Sequence, residues 1–192
     1  MTVVAATAIE ARAARRSLPS VRIIETGVGL SKLGKTPIGD VAVSFGLAGA
    51  LHPDVPAGKV LVPHEVLRPD GETLLCDPVL VTALERAARA LGLEPDTRPM
   101  ITSAALVTGA ERATWAGRGY VAVDMETGLI RASRVAALRV VLDTPQRELS
   151  RAWLQRGAAA LSVRAWTEMP WLVREAPRCA RLAAAVLAAA FA

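Results

Sequence analysis

The sequence predicts an α/β fold, and three observations carry that expectation. Short apolar, β-branched runs at residues 3–6, 21–26, 41–45 and 121–123 alternate with stretches of helical composition. Several of these runs end on acids or glycines, the residue types found where open α/β sheets bind ligands. The length of 192 residues suits one domain that can bury a core without disulfides or metal.

Composition narrows the function classes. The longest continuous apolar run, residues 182–192, is too short to cross a bilayer as a helix, and residues 1–8 carry no basic leader. Cys76 and Cys179 are far apart, which fits reduced thiols and a cytoplasmic location. The formal charge of +5 invites a nucleic-acid partner, but aromatic content is 4% and no basic run interleaves with aromatics, so no nucleic acid is expected. Anionic small molecules or an anionic membrane surface account for the charge as well.

Taken in order, residues 3–6 read as a buried strand and 9–18 as a helix. Glu10 falls in its first turn, where an acid suits the helix dipole, and Arg12, Arg15 and Arg16 form a solvated face. Residues 21–26 form a second strand that opens into GVGLSKLGKT. Residues 29–36 satisfy the P-loop spacing, but Pro37 and Gly39 forbid the helix that must follow its Lys-Thr, so a nucleotide triphosphatase is the weakest reading. Residues 41–45 deliver Gly46, Leu47, Ala48 and Gly49 to the sheet edge, where glycines permit close ligand approach. Residues 59–66 are a further strand in which His64 is expected partly buried. With His52 and His64 alone, and no Cys or His spacing beside them, no metal is assigned.

Residues 77–91 predict an amphipathic helix, with Pro78 at its start and Gly92 past its end. A strand over 98–107 and a short turn or helix over 108–115 follow. The stretch 120–143 then reads as strand, helix over 127–137, and a second strand over 138–142. If the two strands are parallel their C-terminal ends share one edge, so Asp124 and Glu126 come near Asp143. Neighbouring carboxylates take different pKa values and different roles. The segment 147–192 holds seven Arg against three Glu and three of the four Trp. It reads as a helix packed on the sheet, with contact to a membrane surface as the sharper alternative.

VDMET followed by LRVVLD resembles the VDME and R-x-x-SD motifs of the purine nucleoside phosphorylase and uridine phosphorylase superfamily, which includes nucleosidases. SFGLAGALHPDVPAGKVLV at residues 44–62 resembles its glycine-rich G-x-A-G-x-L segment, and ATAIEAR its first strand-to-helix turn. Within the superfamily the sequence is most similar to the hopanoid-associated phosphorylases, which act on adenosylhopane. Methylthioadenosine/S-adenosylhomocysteine nucleosidases and futalosine hydrolases come next.

The resemblance implies a three-layer αβα fold with a central mixed sheet, nucleoside phosphorylase-like, as a single domain over residues 1–192. It implies cleavage of the N-ribosidic bond of a small-molecule adenine nucleoside. Asp143 would hydrogen-bond or protonate the purine at N7, and Glu10 would activate water. Glu126 would hold the ribose hydroxyls, Met125 would pack on the sugar, and Asp124 would be a secondary or capping residue. Gly46, Leu47, Ala48 and Gly49 would border the ligand, with Leu106 and Val107 beside the base, and Arg139 would brace a carboxylate. No cofactor is implied, inorganic phosphate stays open as a co-substrate, and a homo-oligomer is expected. Two departures stand out. Leu47 replaces a hydroxyl residue of phosphorolytic members, and the helix expected after the 27–36 loop is missing. Phosphorolysis, hydrolysis and a non-catalytic nucleoside-binding module therefore all remain open.

Overall fold

The computed structural model describes residues 1–154 and 162–192. Residues 155–161, part of the predicted 147–192 helical segment, lie outside the described residues. Among the described residues the chain builds a mixed sheet of nine strands with helices on both sides. The strands are β1 (Thr2–Ala5), β2 (Arg22–Glu25), β3 (Val41–Ala50), β4 (Val60–Leu61), β5 (Glu65–Leu67), β6 (Thr73–Leu75), β7 (Met100–Thr102), β8 (Ala122–Asp124) and β9 (Arg134–Asp143). The helices are α1 (Ala8–Ser17), α2 (Pro78–Ala90), α3 (Ala110–Gly117) and α4 (Val163–Phe191).

β3 is the central strand. On one side it pairs in parallel with β9, from Val41 opposite Arg134 to Gly49 opposite Asp143. On the other side its first half pairs in parallel with β1 and its last two residues pair antiparallel with β8. β1 and β8 therefore run toward each other along the same flank of β3. Their ends, Ala5 and Asp124, face a gap beside Gly46, Leu47 and Ala48. The sheet continues from β8 through β7 and β5 to β6, while β4 lies antiparallel on β9.

α4 packs against α1, α2 and β9, and this face holds the main core around Val3, Phe45, Leu138 and Val140. The opposite face is covered by Leu30, Leu33 and Ile38 over Val4, Ala42, Ile130 and Val135. The 27–36 loop thus does the covering, through a short 3₁₀ turn at Val28–Leu30, and no P-loop helix follows Lys35. No helix among the described residues is long and apolar enough to cross a membrane.

The predicted helix over 127–137 is corrected. Only a 3₁₀ turn, Thr127–Leu129, forms, and residues 134–143 make one ten-residue strand. Ala136 and Ala137 are strong helix formers, but intrinsic propensity is a weak local preference, and pairing of their strand between β3 and β4 overrides it. β8 and β9 run in opposite directions, so the parallel strand–helix–strand unit is also wrong. The strand over 98–107 shrinks to β7 and that over 59–66 splits into β4 and β5, while β3 runs five residues past its expected end. His64 is exposed, with Nε2 2.9 Å from Glu85 Oε1, because it lies between β4 and β5 and not within a strand. The predicted helix over 77–91 is present as α2, capped by Asp77, whose side chain accepts from the N–H groups of Val79 and Leu80.

Candidate functional site

The gap beside β3 opens into a cavity of ≈ 280 Å³. Its lining includes Glu10, Leu47, Ala48, Gly49, Leu106, Val107, Asp124, Met125, Glu126 and Asp143. Of the residues that the resemblance places at the site, Gly46 and Arg139 are outside that lining, and the α-carbon of Gly46 abuts the side chains of Glu10 and Arg139.

Glu10 reaches the cavity through a capping box. Thr7 caps α1 by accepting from the Glu10 N–H, and Glu10 Oε2 in return accepts from Thr7 N at 2.7 Å and Thr7 Oγ1 at 2.8 Å. Its other oxygen, Oε1, accepts from the Leu47 N–H of β3 at 2.8 Å. The carboxylate is buried and fixed between a helix start and the central strand. A Cβ on Gly46 would lie 2.2 Å from Glu10 Oε1 and 2.8 Å from Arg139 Nη1, so only glycine leaves room for both side chains.

Arg139, 1% exposed, organises the acids beside Glu10. Its Nη2 lies 2.7 Å from Asp124 Oδ2 and 3.5 Å from Glu126 Oε2, and donates to Ser44 Oγ at 2.6 Å. Asp124 is fully engaged. It accepts from Thr102 Oγ1 at 2.6 Å, from the Thr127 hydroxyl, and from Thr127 N at 3.2 Å, which ties β8 to β7 and to the turn that follows. Its position in the cavity wall is therefore that of a brace. Glu126 is less satisfied. It accepts from Gly29 N at 3.1 Å, and burial pushes its carboxyl up to about 7, against Arg139, with Asp124 adding to the rise. Arg139 Nε and Nη1 have no hydrogen-bond partner among the described residues.

Asp143 closes the other end of the cavity. Burial raises its pKa, while the Arg112 guanidinium, the largest opposing influence, favours the charged form. Arg112 donates through Nη2 to Asp143 Oδ2, through Nη1 to Ala50 O at 2.6 Å and through Nε to Val107 O at 3.0 Å. The sequence did not point to Arg112, Leu149 or Trp153 as site residues, yet all three line the cavity. Trp153 donates from Nε1 to Glu168 Oε2 at 2.8 Å, which fastens the segment after β9 to α4. Among the described residues no group of three or more His, Cys, Asp or Glu is placed to hold a metal ion.

The sheet and helix arrangement is an α/β fold that matches the fold of solved nucleosidases. Among solved structures, the chain matches the 5′-methylthioadenosine/S-adenosylhomocysteine nucleosidase of Neisseria meningitidis in complex with methylthio-immucillin-A at TM-score 0.73 and 16% identity, covering 98% of this chain and 96% of that one. It matches a futalosine hydrolase mutant of Helicobacter pylori at TM-score 0.70 and 11% identity, with coverage of 98% and 96%. A nucleosidase of the first kind from Colwellia psychrerythraea, in complex with adenine, matches at TM-score 0.68 and 14% identity. No protein-family model matches the sequence, and no curated protein matches it.

Proposed function

We propose that this chain cleaves the N-ribosidic bond of an adenine nucleoside, with water as the nucleophile. The observation that carries the reading is the placement of three carboxylates, Glu10, Glu126 and Asp143, around one cavity, each held by a different set of partners. Three roles are needed to break such a bond, and separate environments let carboxylates divide them. Asp143 in its protonated form hands a proton to a ring nitrogen of the base as the bond breaks and its electron pair passes to the base. Glu126 accepts hydrogen bonds from the ribose hydroxyls, and Met125 packs on the sugar. Glu10 takes a proton from water as the water oxygen bonds to the anomeric carbon. Gly46 to Gly49, Leu106 and Val107 border the ligand, so the base is held by apolar contact.

Water is favoured over phosphate by the lining. Arg112 is the one cation among the described lining residues and is already committed to Asp143 and two carbonyls, and Leu47 offers no side-chain donor. No cofactor is needed for this chemistry. The test is chromatographic release of adenine from methylthioadenosine and from adenosylhopane, with and without phosphate, for the wild type beside Asp143→Asn. Phosphate-independent release, lost in the variant, is expected. Release only with phosphate would make the chain a phosphorylase, and adenine binding without release would make it a non-catalytic nucleoside-binding module.

A lipid-tailed nucleoside such as adenosylhopane is the second reading. A cavity of ≈ 770 Å³ shares Val28, Ala105, Leu106, Met125 and Trp153 with the first and gives room for a bulky substituent on the sugar. Peripheral contact with the inner membrane surface belongs with it. Arg12 and Arg16 of α1 and Arg181 of α4 rim a groove whose lining holds no acid, a surface suited to anionic headgroups. Absence of binding to vesicles containing phosphatidylglycerol at low salt would remove this second reading. A homo-oligomer, as implied by the resemblance, is tested by light scattering.

A further inference from the structure

Arg112 stands between two carboxylates, only one of which has a role in the chemistry proposed above. Besides Asp143, its Nε lies 3.3 Å from Glu148 Oε1. Glu148 is anchored independently. Its Oε1 accepts from Gly109 N, at the start of α3, at 2.6 Å, and its carbonyl accepts from Arg164 Nη2 of α4 at 3.3 Å. The chain between the two acids is folded back by a reciprocal backbone pair, Thr144 N to Arg147 O at 3.2 Å and Arg147 N to Thr144 O at 2.9 Å. Leu149 N, one residue past Glu148, returns to Asp143 Oδ2 at 3.3 Å. Both carboxylates are thus held on one guanidinium that is itself 1% exposed.

We propose that Glu148 is a positioning residue that keeps the Arg112 guanidinium charge-balanced when Asp143 is protonated, so that Asp143 can carry the proton it delivers to the leaving base. The inference rests on the reading of Asp143 as the acid for the base. With both carboxylates ionised the cluster holds one excess negative charge, and with Asp143 protonated it is neutral. A buried site favours the neutral arrangement. Without Glu148, the neutral arrangement is ionised Asp143 beside Arg112, a state that has no proton to give. The other charged groups near Asp143 do not replace it. Glu10, Asp124 and Glu126 lie across the cavity, Glu111 of α3 faces Arg151 at 4.0 Å, and Arg164 faces Glu168 at 3.0 Å. When the base leaves, the proton moves from Asp143 to the base nitrogen, and solvent reprotonates Asp143 before the next turnover.

The test is the pH profile of kcat/KM for base release by the wild type, Glu148→Gln, Glu148→Asp and Arg112→Gln. A reaction that needs protonated Asp143 falls off as pH rises through its pKa. Glu148→Gln is expected to move that falloff down by about one pH unit, and Glu148→Asp to restore it. Arg112→Gln moves it up; should that variant fail to fold, the two Glu148 variants carry the test alone. An unmoved falloff in Glu148→Gln, or a loss by the same factor at every pH, overturns the proposal. Titration of the Asp143 carboxyl by ¹³C NMR gives a reading that does not depend on turnover. A midpoint lowered in Glu148→Gln supports the proposal even if the wild type releases no base, and an unmoved midpoint overturns it even if the wild type is active.

Discussion

Arg139 and Arg112 are equally buried, and each binds the acids at one end of the same cavity, yet they are finished differently. Arg112 places all three of its nitrogens on partners, two of them backbone carbonyls of β3 and of the segment leading to α3. Arg139 concentrates its contacts on Nη2, and its Nε and Nη1 have no partner among the described residues. The Asp143 end is therefore closed by the fold itself. The Glu10–Glu126 end keeps unused hydrogen-bonding capacity beside Gly46, which suits the end where a polar sugar and water would enter.

Substitutions at the two ends of the cavity should differ in their effects. Asp143→Asn and Glu10→Gln should each lower kcat/KM for base release by roughly 10²–10⁴-fold, since each removes a proton-transfer partner. Arg139→Met strands Asp124 and Glu126 without their cation and should lower unfolding stability by about 3–5 kcal/mol in urea titrations. Gly46→Ala should displace the Glu10 carboxylate and lower kcat/KM by about a hundredfold while leaving the fold intact by circular dichroism.

The smallest effect is on stability against pH. Glu126 has its folded pKa raised to about 7 from the ordinary 4.5, so between these values the folded state holds a proton there that the unfolded state has released. The stability contributed by that proton is fully present below about pH 4.5 and is lost as pH rises through 7. Glu126→Gln should therefore flatten the decline in stability between pH 5 and 8, measured by chemical denaturation at about those two values. An unchanged decline would place the responsible group elsewhere.

Much of the cavity was legible because its acids sit in short, ordered motifs. VDMET and LRVVLD placed Asp124, Glu126 and Asp143, and the glycines after β3 marked where a ligand could approach. The route by which those acids meet was not legible. A stretch with helical composition became the ten-residue strand β9, because pairing with β3 on one side and β4 on the other outweighs a local preference. By position alone Glu10 looked like a dipole residue, and only the resemblance gave it a role with water, although Thr7 three positions earlier spells a capping box that fixes its carboxylate. Arg112 carried no usable signal. In AERATWAG it resembles any exposed helical arginine, and only the tertiary approach of α3 to Ala50 and Asp143 buries it.

We propose that water, activated at Glu10, attacks the sugar while Asp143 protonates the base. It is tested most directly by running the reaction on methylthioadenosine in H₂¹⁸O and weighing the sugar product. One ¹⁸O atom in the released sugar, the same rate with and without phosphate, and loss of product in both Glu10→Gln and Asp143→Asn are expected. A sugar phosphate without label, or turnover that survives Glu10→Gln unchanged, would contradict it.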